Sequence, residues 1–429
     1  MTILKRDYRE LFSDPSLPLL SLLTGAFFLA IFFRISASVV LPLEAERLGM
    51  SAALTGFISS VHFYAYAFLQ PVSGILHDRY GPVRVVTCGL LLTAFSCLLL
   101  TFVRTPATLG AWRLLSGFGL APMYSATLVF LAFAFSAERY CFFAGINFAF
   151  ASLGAIISVA PLGFALDTFG IAATFAILTG ISLLMALFLG RKAKSDPIRQ
   201  TAGEQKQTIR SILPGIGRAF VYIARQPRLR GLMILWSVSS ASLLAFQGLW
   251  GVSWFSAVFG VSRASARFWS SLVSVGMMFG PLLAGNIVPT PETLPGIIRR
   301  VSFMNVLVWF LLLGTTVSGL PVWAGGIAAF GVGLVSGVRL VFAMAGVTAL
   351  TRKGEKGVFF GSMNMIAIFA AVLFQWGTGI IIDRFPAALP GTYTAEGYFA
   401  AFAAVACAMS ASLLALPMFG REPLEQVTE

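Results

Sequence analysis

The stretch Ser73-Gly-Ile-Leu-His-Asp-Arg-Tyr-Gly-Pro-Val-Arg84 lies between two apolar runs, each of about the twenty residues that a membrane-spanning helix needs. Hydrocarbon cannot solvate its Asp and Arg side chains, so the chain must leave the membrane at this point. Gly74 and Gly81 flank the first charges, and glycine permits the tight turn that such a short segment requires. The stretch therefore predicts two membrane crossings joined by a short polar turn.

The composition of the whole chain supports a membrane protein. Its 429 residues are 58% hydrophobic and 11% charged, whereas soluble domains average about 25% charged residues. The net charge of +13 resides mostly in short turns between apolar runs, as the positive-inside rule requires. A nucleic-acid partner would need a folded basic domain, and no polar segment is long enough to form one. We expect the chain to be surrounded by membrane lipid and to bind no nucleic acid.

The cysteines give no sign of disulfides or of a metal site. Cys88, Cys97, Cys141 and Cys407 all lie inside apolar runs, so neither a disulfide framework nor a paired-cysteine metal pattern is present. We expect no metal and no cofactor. The charged first residues are followed by no small-residue cleavage site, so we expect the first apolar run to be retained.

Twelve apolar runs are each long enough for a helix to cross about 30 Å of hydrocarbon. They fall at residues 18–43, 51–76, 84–103, 108–135, 140–165, 172–190, 231–256, 266–288, 301–319, 322–348, 357–382 and 396–418. A basic segment, residues 191–230, separates the first six runs from the last six. The predicted fold is an all-α membrane protein with twelve transmembrane helices, divided into an N-terminal bundle (1–190), a cytoplasmic linker (191–230) and a C-terminal bundle (231–429).

The basic segment has apolar residues at helical spacing, which leaves two interpretations open. Ile212, Ile216 and Phe220 alternate with Arg218 and Arg225. The segment is either a helix that only joins the two bundles or an amphipathic helix lying on the membrane surface.

An internal repeat relates the fifth and eleventh runs. The matched positions are Phe142 with Phe359, Phe143 with Phe360, Asn147 with Asn364, Gly163 with Gly379, Asp167 with Asp383, and Phe169 with Phe385. The register changes by a single residue between the third and fourth pairs. Six matches in corresponding runs predict that the two six-helix bundles are pseudo-symmetric copies.

The distribution of basic residues predicts the orientation. One set of loops carries few lysines and arginines, namely Arg47, Arg104, Arg263, Arg267 and Arg384. The other set, which includes both termini and the segment 191–230, carries most of the remainder. The positive-inside rule then places both termini in the cytoplasm. We expect a multi-pass protein of a bacterial inner membrane.

Two motifs resemble those of the major facilitator superfamily (MFS). A Gly-x-x-x-Asp-Arg-x-Gly pattern with a trailing basic residue falls on Gly74, Asp78, Arg79, Gly81 and Arg84. An Arg-x-x-x-Gly-x-Gly pattern falls on Arg113, Gly117 and Gly119 of the fourth run. The resemblance implies transport by alternating access between two bundles, with the first motif as a gate. The exporter version of the fifth helix has Gly-Pro followed by a double Gly, and Ala160-Pro161-Leu162-Gly163 departs from it, which argues against a drug exporter.

Three arginines lie where charge is costly. Arg34, Arg113 and Arg339 fall within the first, fourth and tenth runs, and the core of no run contains Asp or Glu. An arginine at bilayer depth needs water, a partner or a cavity, so we expect a positively charged cavity whose counter-charge is an organic or phosphorylated anion. Arg34 is the deepest and the first candidate. Arg113 fits a structural or gating role equally well, and Arg339 could instead reach the nearby membrane surface.

Polar residues at helical spacing complete the candidate binding site. His62 of the second run fits either a proton carrier or a hydrogen-bonded interior histidine, and Tyr66 lies one turn further. The remaining candidates are Asn147, Gln247, Trp250, Asn364 and Gln375. Gln247 and Trp250 share a face of the seventh run, and Asn364 and Gln375 share a face of the eleventh.

We therefore expect a monomeric secondary active transporter for a small anion, coupled to a proton or a counter-substrate. No nucleophile–base set or nucleotide-binding Gly-x-x-x-x-Gly-Lys-Ser/Thr motif occurs, so we expect no enzyme. Two alternatives stay open. The chain could carry a neutral or amphipathic compound, including by efflux, or it could be a membrane sensor that binds without transport.

Overall fold

The computed structural model describes residues 14–102, 105–135, 137–193, 196, 198, 209–285, 287, 289–351, 356–388 and 391–420. Within these ranges the regular structure is helical, and an isolated β-bridge joins Pro386 to Tyr393. The predicted all-α fold is confirmed.

The N-terminal half consists of helices whose bounds match the first four predicted apolar runs closely but differ from the fifth and sixth. They are α1 (Leu17–Leu48), α2 (Ala52–Tyr80), α3 (Pro82–Leu100), α4 (Pro106–Ala134), α5 (Ala137–Ile157) and α6 (Ala160–Arg191). Inside α6, Gly170 has φ 74° and ψ 170°, a conformation that glycine adopts without strain. This break separates two helical segments within α6, and it lies at the boundary predicted between residues 165 and 172.

The C-terminal half follows a linker helix, α7 (Ile209–Arg225). Its elements are α8 (Pro227–Ala245), a π-helical turn (Phe246–Trp250), α9 (Gly251–Phe259), α10 (Arg263–Ala284), α11 (Leu294–Val317), α12 (Val322–Leu350), α13 (Lys356–Ile382), α14 (Ala395–Ser412), a 3₁₀ turn (Leu413–Ala415) and α15 (Leu416–Phe419). The side of the molecule at which α7 lies is called the linker side below, and the opposite side, where α1 ends, is called the distal side.

Ten helices in the described residues are long and apolar enough to cross a membrane. Two further helices, α5 and α10, lie where the fifth and eighth crossings are predicted. The count of twelve therefore stays a prediction, as do the domain boundaries.

Within the C-terminal half, α10 and α12 are in direct backbone contact. A Cβ atom placed on Gly333 of α12 would lie 1.9 Å from the carbonyl oxygen of Val273 in α10. Such an approach is open only to glycine, and no side chain separates the two helices at this point.

The two halves also meet backbone to backbone, on the distal side. A Cβ on Gly379 of α13 would lie 2.4 Å from the carbonyl oxygen of Ala52, at the start of α2. One turn further along α2, a Cβ on Gly56 would lie 2.4 Å from the carbonyl oxygen of Gln375. The distal ends of α2 and α13 are therefore closed against each other.

Candidate functional site

A cavity of about 180 Å³ lies between the two halves, at the mid-depth of the helices. This central cavity is lined by α1, α2, α4 and α5 of one half and by α8, the π turn, α10, α12 and α13 of the other. Its polar lining residues are Arg34, Tyr66, Tyr124, Ser152, Ser239, Ser240, Gln247, Ser274, Ser336, Arg339 and Asn364. All of the lining residues belong to the described chain, and they include no Asp or Glu.

Arg34 reaches the central cavity because α1 presents one face to it. Phe27, Ile31 and Arg34 follow each other at intervals of one turn and all line the cavity. The Nε atom of Arg34 is buried and, among the described residues, has no hydrogen-bond partner. The N-terminal half therefore supplies a largely apolar wall, and Arg34 is the charged residue among its lining residues.

Arg339 supplies a second cation from the C-terminal half. Its Nη1 donates to the carbonyl oxygen of Leu235 at 3.0 Å and its Nη2 to that of Trp236 at 3.3 Å. Its Nε is buried and has no partner among the described residues. Arg339 lines the central cavity. The structure therefore favours a side chain directed toward the cavity over the alternative in which it reaches the membrane surface.

Arg113 lies behind the cavity wall, where its guanidinium donates hydrogen bonds to backbone carbonyl oxygens and lies 5.4 Å from the ring centroid of Trp112. Its side chain is fully buried. Nε and Nη2 donate to the carbonyl oxygen of Ser59 at 3.3 and 3.0 Å, and Nη1 donates to that of Phe33 at 3.3 Å. These bonds join α4 to α2 and to the residue before Arg34. This geometry favours the structural interpretation of Arg113, and its predicted part in substrate binding stays a prediction.

His62 and Tyr66 occupy different positions relative to the cavity. His62 is fully buried, with Nδ1 3.3 Å from the hydroxyl of Ser116. Tyr66 lines the cavity, and its ring lies 6.1 Å from that of His62, centroid to centroid. The histidine thus contacts the wall through Tyr66 and does not form part of it.

The π turn separates two residues that the sequence places on one face. Gln247 lines the cavity and donates to the hydroxyl of Ser274 at 2.9 Å. Trp250 lies outside the wall, where its Nε1 donates to Thr378 at 2.9 Å and its ring packs against Tyr398. A π turn adds a residue to the helical turn, so the α-helical spacing that relates Gln247 to Trp250 does not apply here.

The remaining predicted binding residues are likewise divided. Asn364 lines the cavity. Gln375 is buried outside it and donates to the carbonyl oxygen of Leu244 at 2.9 Å, and Asn147 is buried outside it as well. In all, five of the ten predicted residues line the cavity: Arg34, Tyr66, Gln247, Arg339 and Asn364.

The charged motif forms the linker-side junction between α2 and α3. Gly81 has φ 81° and ψ 145°, which permits the abrupt turn predicted for it. The next helix begins with Pro82 and Val83, and the amide of Val83 donates to the carboxylate of Asp196 at 3.1 Å. Asp196 follows α6 and is fully buried, so the chain leaving the N-terminal half returns to cap α3.

The described side chains of the motif include those of Arg79 and Arg84. Arg79 is exposed, with its guanidinium carbon 5.2 Å from the ring centroid of Tyr80. Arg84 is half-buried, and the space around Gly74 is open. The side chain of Asp78 lies outside the described residues. The gating role of this motif stays a prediction.

On the distal side, two ion pairs between described residues join the halves. Asp167 of α6 pairs with Arg267 of α10, with Oδ1 to Nη2 at 3.1 Å, and Glu46 of α1 pairs with Arg263, one turn before Arg267. The side chain of Arg267 is 3% exposed and that of Asp167 is 48% exposed. Each pair takes its acid from the N-terminal half and its base from the C-terminal half.

A third acid joins the halves in the reverse direction. Asp383, directly after α13, accepts hydrogen bonds from the backbone amides of Ala52 and Ala53, the latter at 2.8 Å. It therefore caps α2, where the helix dipole favours a negative charge. The Tyr393 hydroxyl donates to the same carboxylate at 3.0 Å. Burial, and then this hydrogen bond, raise the pKa of Tyr393 above its usual value.

These residues, Glu46, Asp167, Arg263, Arg267 and Asp383, are called the distal clamp below. A second cavity of about 300 Å³ lies beside them, lined by Glu46, Arg263 and Arg267 among others. Asp167 and Asp383 are the repeat-related acids noted in the sequence. Each contacts the first turns of a helix in the other half, and α2 and α10 are themselves at corresponding places in the two halves.

Sequence reasoning did not assign the clamp or the serines of the cavity wall to the site. A signal for the clamp was present, because the repeat pairs Asp167 with Asp383. The wall serines Ser239, Ser240 and Ser336 had no such signal, since serines in apolar helices commonly bond to their own backbone.

Two helical halves around a buried polar cavity define the architecture of a membrane carrier. A family model of the Major Facilitator Superfamily matches residues 23–374, and the chain belongs to this superfamily. It is an integral, multi-pass membrane protein.

Curated relatives of the chain are named as transporters. The "Probable anion transporter 2, chloroplastic" of Oryza sativa is 24% identical over 262 residues, which is 59% of this chain and 49% of the relative. The "Probable hexose phosphate transport protein" of Chlamydia pneumoniae is 25% identical over 422 residues, 90% of this chain and 87% of the relative. The chain spans about half the length of the first curated relatives it matches. Others are named multidrug resistance proteins, so the names alone do not decide the substrate.

The fold is also that of solved transporter structures. A bacterial homolog of the human lysosomal transporter Spinster, in an inward-facing and unoccupied conformation, superposes with a TM-score of 0.75. The two share 15% sequence identity, over 96% of this chain and 99% of that one. This likeness concerns the fold alone.

Proposed function

We propose that this protein is a secondary active transporter that moves a small organic or phosphorylated anion by alternating access. The observation that carries the proposal is the wall of the central cavity, where Arg34 and Arg339 meet no acid among the lining residues. Burying a guanidinium costs free energy, and a counter-charge lowers that cost. An anionic solute would provide one in a site that both halves share.

The distal clamp supports the alternating-access part of the proposal. It joins the halves on one side of the central cavity, and ion pairs and helix caps of this kind can break and re-form as the halves rotate. We propose that the charged motif at Gly74–Arg84 holds the linker side closed when the distal side is open. The excess of basic residues around the linker supports a cytoplasmic linker side. The membrane in this proposal is a bacterial inner membrane.

The names of relatives support an anion over a neutral solute. One is named as an anion transporter and another as a hexose phosphate transporter. The coupling species in this proposal is a proton or a counter-substrate. No catalytic step is part of it.

The test is uptake into proteoliposomes by the purified chain and by Arg34→Gln. Labelled lactate, succinate, glucose 6-phosphate and glucose serve as solutes. We expect uptake of at least one of the anions, and its loss to background in Arg34→Gln, because the cavity then lacks its deepest cation. Arg300→Gln, an exposed arginine of α11, is the matched control and should transport like the parent.

Three outcomes would contradict the proposal. Unchanged anion uptake in Arg34→Gln would remove Arg34 from the site, and uptake of glucose alone would favour a neutral-solute carrier. Anion binding without any flux, measured by thermal stabilisation, would favour the sensor alternative.

A further inference from the structure

Two arginines from opposite halves face one small cavity. Arg34 comes from α1 and Arg339 from α12, and both line the central cavity of about 180 Å³. Each has a buried Nε without a partner in the described part of the chain. Each half thus contributes to the site one arginine whose Nε donor is buried without a partner among the described residues.

The hydrogen bonds that Arg339 does make leave its charge uncompensated. Its Nη atoms donate to the carbonyl oxygens of Leu235 and Trp236. Carbonyl dipoles satisfy the donors and lower the cost of burial, but they carry no net charge. The cavity wall therefore has two formal positive charges.

The described acids near the interface between the halves are engaged elsewhere. Glu44, buried near the end of α1, pairs with Arg47. Asp167 and Asp383 belong to the distal clamp. No described carboxylate is thus placed to balance Arg34 or Arg339 within the cavity.

We propose that the transported solute carries two negative charges, one balanced by the arginine of each half. The inference rests on the proposed function and specifies the valence of the anion. A monoanion leaves one guanidinium buried without a counter-charge, which is costly in a low-dielectric site. A dianion compensates both guanidiniums and attracts the two halves toward each other around the solute. The small volume of the cavity favours a compact molecule.

Two kinds of compact solute have this charge. One is a short dicarboxylate, with a carboxylate for each arginine. The other is a phosphate monoester, whose single head group gains its second charge near pH 6. Arginine binds both groups through paired N–H donors. The experiment below has an arm for each.

The first arm compares succinate with butyrate, which have the same carbon skeleton and differ by one carboxylate. Binding to the purified full-length protein at pH 7.5 is measured by calorimetry. We expect succinate to bind at least about thirtyfold more tightly, because leaving one buried charge without its partner is strongly unfavourable. In the second arm, ethyl phosphate should bind more tightly at pH 7.5 than at pH 5, while butyrate should change little.

Variants assign the second charge to Arg339. Arg339→Gln should remove the preference for the dianion and leave butyrate affinity within about twofold, because only the second charge interacts with this residue. Arg339→Lys keeps the charge and should keep the preference. Arg300→Gln should match the parent. If Arg339→Gln is too unstable to purify, the comparison of succinate with butyrate in the parent protein still tests the inference.

The outcomes separate this inference from the proposed function. Equal affinity for succinate and butyrate, together with no effect of pH on ethyl phosphate, would overturn the two-charge inference and leave anion transport standing. Equal weakening of succinate and butyrate by Arg339→Gln would also overturn it. Binding of neutral solutes with no binding of any anion would remove the proposed function itself.

Discussion

The central cavity and the distal clamp both contain arginines from the C-terminal half, but their surroundings differ. In the clamp, Arg263 and Arg267 each face a carboxylate of the other half. In the cavity, Arg339 lines the wall and donates hydrogen bonds within its own half, and the lining residues include no acid. A charge that finds its partner across the interface holds the halves together, whereas one that does not is available to a solute.

The two regions also differ in their exposure to solvent. Asp167 is half-exposed although Arg267 is buried, so the pair is partly solvated and its strength is modest. Such a contact can break during transport at small cost. The cavity arginines lie at mid-depth, where an uncompensated charge costs several kcal/mol, and this cost would favour binding of the proposed anion.

The largest effect is expected when the cavity is given an acid of its own. Ser336 lies one turn before Arg339 on the cavity wall, and its hydroxyl is buried without a partner among the described residues. Ser336→Asp should pair with Arg339 as the clamp acids do, and should weaken binding of the transported anion by about a hundredfold or more. Calorimetry measures this, with the nearly isosteric Ser336→Asn as control. Equal affinity in the Asp and Asn variants would show that Arg339 does not contribute its charge to the solute.

The converse change removes an acid from the clamp. Asp167→Asn leaves Arg267 without its counter-charge at the distal interface and should shift the population toward the distal-open state, by about tenfold for a loss near 1.4 kcal/mol. A cysteine at Ser256, which lines the distal cavity, reports this shift through its rate of reaction with a membrane-impermeant maleimide.

The background in this experiment comes from native cysteines and is measured in protein without the Ser256→Cys change. Glu292→Gln, an exposed acid on the linker side, is the control for loss of one negative charge. A labelling rate in Asp167→Asn equal to that of the control would contradict a closing role for the ion pair.

The smallest effect is expected at the third clamp acid. Asp383→Asn keeps one oxygen for the start of α2 and loses the negative charge that the helix dipole favours. Since replacing a cap typically costs about 1 kcal/mol, labelling at Ser256→Cys should rise about threefold to fivefold. An effect larger than that of Asp167→Asn would reverse the order proposed for the two repeat-related acids.

Sequence patterns predict the class and much of the architecture because hydrocarbon imposes strict rules on apolar runs and charges. The depth of Arg34 in its run and the absence of an acid nearby pointed toward a cavity, and the structure places Arg34 on the cavity wall. The internal repeat identifies Asp167 and Asp383 as corresponding acids, but it does not identify the residues that they contact. Ion pairs between residues 100 positions apart depend on how the halves pack.

Helical spacing failed where the backbone departs from an ideal helix. Gln247 and Trp250 are three residues apart and would share a face of a regular α-helix. The π turn at Phe246–Trp250 divides them between the cavity and the contact with Thr378. The residue types in this segment do not predict a π turn. Similarly, the sequence places Asn364 and Gln375 on one face of a helix, yet of these two residues only Asn364 lines the cavity.

The glycine contact between α10 and α12 has a mechanical consequence. Because the backbone at Gly333 touches that of Val273, neither helix can slide past the other without overlap of main-chain atoms. Arg267 of the clamp is on α10 and Arg339 of the cavity is on α12. The packed pair of helices therefore moves as one unit. A displacement that separates Arg267 from Asp167 also moves Arg339 relative to a solute in the central cavity.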